Sequence, residues 1–273
     1  METRRPGRQV NGNAVMPGWL DSRAARACAV LACAILLSAC GGRDWKPTLQ
    51  SHDQLVRAFD EAALARGFVM KWAGPIRYAT DGRTEDAARL AYAEAALLRM
   101  AAMAGVEAYR VPHVSAANFA LVFSNVEAFG PPSASRPFCY AVPMADNNGH
   151  MTKVTLHLNI NMPNAFYGQT QQITPEYCIV HELMHGFGFR GHSHTTYSIL
   201  SYGNIGLQDM TEADELLLRT LYDERMKPGL QRWPALYQAH EIMAELRHAA
   251  YPDQPRLGFP AYIEKLAARL KQH

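Results

Sequence analysis

No apolar run in this chain obviously suffices to cross a bilayer as an ordinary helix: the run from Ala27 to Ala39 falls short of the roughly 20 residues such a span needs. An excess of positive charge is also missing, since 27 Lys and Arg face 25 Asp and Glu, so nothing points to nucleic acid. The chain has no internal repeat. Cysteine is scarce: of five, Cys28 and Cys33 lie in the apolar run and Cys40 directly follows it, which leaves Cys139 and Cys178 alone in the remainder.

The N-terminus is laid out as a secretory signal, with Arg4, Arg5, Arg8, Arg23 and Arg26 ahead of the apolar run. Met1 and Met16 are both candidate starts; the second gives a signal of conventional length. The run ends in Leu37-Ser38-Ala39-Cys40-Gly41, which resembles the lipobox of bacterial lipoproteins. That resemblance implies removal of residues 1–39, acylation of Cys40, and a lipid-anchored protein of the bacterial cell envelope facing the periplasm. The remaining 234 residues carry 22 basic and 23 acidic side chains and suit one domain with an extension. In an oxidising compartment two leftover thiols usually pair, so Cys139–Cys178 is the expected disulfide; two separate buried thiols are the alternative.

After a tether over 40–50, Ser51-His52-Asp53-Gln54 reads as a capping box opening a helix to about Arg66. A strand pair is expected at Val69–Trp72 and Ile76–Ala79. Thr84 then caps a long alanine-rich helix that Gly105 stops. Strand-like runs follow at Glu107–Val111, Phe119–Phe123, Phe138–Pro143 and Val154–Ile160, with Asn147-Asn148-Gly149 marking a hairpin between the last two. His150 and His157 in that hairpin read as ordinary strand histidines. Thr174-Pro175-Glu176 is a strong helix start, combining a cap, a proline at the first helical position and an acid against the dipole. Thr211-Glu212-Ala213-Asp214 opens another helix, and Ala235–Ala250 and Pro260–Lys271 form helical patterns at the C-terminus. Glu241, Glu245 and His248 read as a solvated helix face.

The chemistry sits in His181-Glu182-Leu183-Met184-His185. Residues four apart on a helix lie about 40° apart around the axis, so both imidazoles face one side and can share one cation. Zn2+ accepts such nitrogens, and its catalytic sites use three protein ligands and leave a position for water. Glu182, rotated away from the ligands, is placed to act as general base on that water.

His181-Glu182-Leu183-Met184-His185-Gly186-Phe187-Gly188 resembles the signature of the metzincin zinc peptidases, whose glycine turns the chain toward a third histidine. Ser198-Ile199-Leu200-Ser201-Tyr202 is similar to the turn beneath the metal in that family, and the helix from Thr211 to Tyr222 to the helix that closes it. The third histidine of the family would fall at Gly191, whereas this chain offers His192 and, as the alternative ligand, His194; the methionine of the turn is Leu200. The layout from Ser51 to Gly229 also looks like an uncharacterised family of bacterial envelope proteins. The resemblance implies a zincin core and assigns Tyr202 a hydrogen bond to the oxyanion.

The expected architecture is α+β: a metzincin-like zincin core over 51–227, with a twisted mixed sheet under two helices and the active-site helix beneath it, and an added C-terminal helical extension over 228–273. The expected activity is zinc-dependent hydrolysis of peptide bonds. Its catalytic residues are Glu182 and Tyr202, its metal ligands His181, His185 and His192, its cofactor Zn2+, and its partners a peptide or protein substrate and the membrane. Two rivals stand: an envelope lipoprotein that binds a partner through a vestigial or structural zinc site, and a hydrolase of a non-peptide amide.

Overall fold

Ser51 opens the first helix among the described residues, α1 (His52–Ala63): its hydroxyl accepts the Gln54 N–H and the Gln54 side chain returns to the Ser51 N–H. The computed structural model describes residues 50–81, 87–124, 139–159, 165–167, 171–204 and 206–250. The expected signal segment, Cys40, the Thr84 cap and the helix over 260–271 lie outside the described residues, and the side chain of Tyr202 does so too. Among the described residues no helix is long and apolar enough to cross a membrane.

The second element is a βαβ unit. Strand β1 (Ile76–Asp81) leads into α2 (Ala87–Met103), which returns to β2 (Ala108–Arg110) parallel to β1. Strand β3 (Phe119–Ser124) pairs parallel with the other side of β1. The hairpin at residues 147–149 joins β4 (Cys139–Ala145) to β5 (Met151–Asn159), and β5 pairs parallel with β3. The five-stranded mixed sheet therefore runs β2-β1-β3-β5-β4, with antiparallel β4 as one edge. Two short strands, β6 (Ala165–Tyr167) and β7 (Gln171–Ile173), form a separate ribbon before the next helix.

That helix, α3 (Pro175–Gly186), begins as expected: Thr174 caps it by accepting the Tyr177 N–H, and Pro175 fills the first turn. Nine of its twelve residues are buried, so it behaves as a core helix rather than a surface one. It packs on β4 and β5, and at Gly186 a Cβ would stand 2.8 Å from the Phe119 ring, which lets α3 lie close on β3. Two further helices follow, α4 (Glu212–Tyr222) and α5 (Arg232–Ala250).

Three expectations change. The segment Val69–Trp72 is not a strand. Its backbone bonds instead to two turns, with Val69 N–H donating to Leu230 C=O at 2.9 Å and Lys71 N–H to Gly149 C=O at 3.1 Å. Trp72 Nε1 donates to Gly186 C=O at 3.0 Å, and Tyr222 Oη to Phe187 C=O at 3.0 Å, so this segment and α4 satisfy carbonyls left open at the end of α3. The sheet does not separate α3 from the other helices either: α2 packs directly against α3 and α4. Finally, α5 is not a loosely added layer. Its Ala235, Leu236, Ala239, Ile242, Met243 and Ala244 are at most 4% exposed, and it packs on α1 and α4. Arg232 reaches the buried Asp60 of α1 at 2.6 Å, and His240 hydrogen-bonds His52 at 2.6 Å.

Candidate metal centre

Helix α3 carries His181 and His185 one turn apart, and both rings turn toward the segment that follows the helix. The helix ends at Gly186, and Gly188 adopts φ +111°, where an added Cβ would lie 2.0 Å from Met70 C=O. No side chain fits there in that conformation. The sharp turn sends the chain back past the helix and brings His192 to the other two histidines. The three Nε2 atoms stand 3.1, 3.2 and 3.3 Å apart. His194 is exposed, does not join them, and engages α1 through its backbone N–H.

The protons of the cluster can be placed by elimination. His181 Nδ1 lies 2.8 Å from Ile199 C=O and His185 Nδ1 lies 2.5 Å from Phe189 C=O. A carbonyl only accepts, so each Nδ1 carries its ring's proton and each Nε2 presents a bare lone pair. Burial pushes His181 and His192 down to about 4 and His185 well below its usual range, so the rings are neutral near pH 7. The lone pairs of His181 and His185 Nε2 face each other at 3.2 Å and repel unless a shared proton donor or a cation lies between them. A tetrahedral ion with bonds of about 2.05 Å separates its ligands by about 3.3 Å, close to the spacing found. Three histidines of this chain can thus hold a metal ion.

Glu182 follows His181 on α3 and is 6% exposed. Burial pushes its carboxyl up to about 8, while the N–H of Ala141 on the edge strand β4 donates to it and pulls the other way. A divalent cation beside such a carboxyl favours its ionised form.

The turn below the cluster is held by a residue that sequence reasoning assigned only to a helix cap. Asp214 is fully buried; it accepts Thr211 N–H and hydroxyl at 2.8 Å each, Ile199 N–H at 2.9 Å, and the Ser198 hydroxyl. Burial pushes its carboxyl up, and these donors oppose the shift. Because Ile199 C=O receives His181 Nδ1–H, Asp214 holds the residue whose carbonyl orients a ligand. Leu200, in the same turn, is fully buried. The signal available in the sequence was the Thr-x-x-Asp spacing, which says nothing about an aspartate turned inward. Asp214→Ala is expected to cost at least about 2 kcal/mol, because several buried donors lose their acceptor. Denaturant unfolding measures this; an unchanged midpoint would remove Asp214 from this role.

Cys139 at the start of β4 and Cys178 in the first turn of α3 form a disulfide with Cα atoms 5.9 Å apart. It ties the edge strand holding the Glu182 carboxyl to the helix that carries Glu182. Closing a loop between positions 39 apart contributes about 4 kcal/mol by chain entropy. Protein taken from intact cells should resist alkylation at both cysteines until it is reduced. Direct labelling of both would count against the pairing.

Comparison with known proteins places residues 54–236 in the family described as "Protein of unknown function (DUF2927)". No curated protein matches the chain.

Proposed function

The chain belongs to the DUF2927 family, and from its histidine cluster we propose that it is a zinc-dependent hydrolase cleaving peptide bonds. The observation that carries this is the convergence of three histidine Nε2 atoms at the helix that also carries the buried Glu182. Among the described residues no fourth histidine, cysteine or carboxylate joins the cluster. That supports a site with an open position over a closed structural one. The metzincin-like signature, the mixed sheet and the turn at Ser198–Tyr202 support the same reading.

His181, His185 and His192 would hold the zinc through Nε2. When bound there, zinc supplies Lewis acidity toward a carbonyl oxygen and acidifies water in the cleft. Glu182, anchored by the Ala141 N–H, takes the proton as water adds to the carbonyl carbon. When the C–N bond breaks, Glu182 passes that proton to the leaving amine, and the products are a carboxylate and a free amine. Tyr202, in the short helical turn Tyr202–Asn204, is the proposed donor to the oxyanion.

The test is cleavage of a peptide library by the zinc-loaded chain, with and without a chelator. Zinc-dependent cleavage supports the proposal. A chain that binds zinc tightly but cleaves nothing supports the partner-binding reading, and cleavage confined to non-peptide amides redirects the substrate.

A further inference from the structure

We propose that Glu61, at the C-terminal end of α1, is the positioning residue for the third metal ligand. This rests on the metal-site reading above and on no claim about hydrolysis. His181 and His185 are placed by the geometry of α3 itself. His192 has no such support, because residues 189–200 form no helix or strand.

Helix α1 supplies what holds this segment. Arg190 N–H and Gly191 N–H both donate to Ala62 C=O, at 2.8 and 2.9 Å. Carbonyls at a helix C-terminus lack intrahelical partners and are ready acceptors. On the other side of His192, the Glu61 carboxylate accepts His194 N–H at 2.8 Å, with the Ser193 and Thr195 hydroxyls at 3.4 Å. The third ligand is therefore clamped on both flanks by two consecutive residues of α1. A carboxylate acceptor makes this bond stronger than a neutral one.

The fit is tight enough to set the register. A Cβ on Gly191 would stand 2.1 Å from Glu61 C=O and 2.8 Å from Ala65 Cβ. Position 191 abuts α1 and has no room for a ring, so the ligand comes from position 192. The platform is itself fixed from behind, by Asp60 to Arg232 and His52 to His240 of α5. Neither Glu61 nor any other residue of α1 belongs to the histidine cluster.

The experiment is a double-mutant cycle on the full chain, reading Zn2+ affinity by chelator competition and the absorption spectrum with Co2+. Glu61→Ala should weaken Zn2+ binding about 10-fold or more, as loss of an outer partner does elsewhere. Glu61→Gln, which keeps an acceptor of the same shape, should weaken it less and remains informative if the alanine variant folds poorly. In a His192→Ala background the Glu61 change should have no further effect on affinity, and the Co2+ spectrum of Glu61→Ala should shift toward that of His192→Ala. Unchanged affinity in both Glu61 variants, or a full additional loss on top of His192→Ala, would overturn the proposal. If the cycle couples as expected but no peptide is cleaved, the hydrolase reading falls and this one stands. If peptides are cleaved and the cycle is additive, the reverse holds.

Discussion

Alanine at His181 or His185 should abolish tight zinc binding, and alanine at His192 should weaken it far more than alanine at His194. The three clustered Nε2 atoms are the donors within reach of one ion, whereas His194 lies exposed and contributes its backbone to the Glu61 bond. Loss of a ligand should exceed the roughly 10- to 100-fold that outer partners contribute. Zinc content after dialysis, followed by chelator competition, checks this. Unchanged zinc in both His181→Ala and His185→Ala would remove the metal centre. Release of metal by His194→Ala but not by His192→Ala would exchange their roles.

Glu182→Gln should keep zinc and fold while lowering turnover by about 10²- to 10⁴-fold, the usual contribution of a positioned general base. The amide still accepts the Ala141 N–H but cannot take a proton from water. Near wild-type turnover would remove Glu182 from the mechanism. The same variant has a second signature in the metal-free protein. With the folded carboxyl raised from 4.5 to about 8, the folded state holds a proton that the unfolded state releases. Stability from this group is complete below about pH 4.5 and is lost as pH rises toward 8. Glu182→Gln should therefore lose less stability than wild type across that window, as a series of melting curves would record.

These effects rest on residues of unequal visibility. The pentapeptide from His181 to His185 and the caps at Ser51, Thr174 and Thr211 act within one helical turn, so their meaning is carried by adjacent residues. The hairpin at residues 147–149 is equally local. Val69–Trp72 misled because a strand-like composition specifies an extended backbone but not its partner. Here the partners are turns near positions 149 and 230, far along the chain. The side of the sheet on which α2 lies was equally hidden, since an apolar stripe says that a face is buried and not against what.

The sequence by itself determined the chemistry of the site: two histidines on one helix face, a glutamate beside them, and a glycine turn leading to further histidines. Side-chain periodicity over a few residues is set by backbone sterics, so it survives without tertiary context. Only the tertiary structure decided which histidine joins the pair, that Asp214 holds the turn beneath them, and that the end of α1 clamps the loop at Glu61 and Ala62. Those outcomes depend on contacts between residues 11 to 133 positions apart. Burial of the core and the pairing of buried polar groups select among such contacts, and no short stretch of sequence encodes that selection.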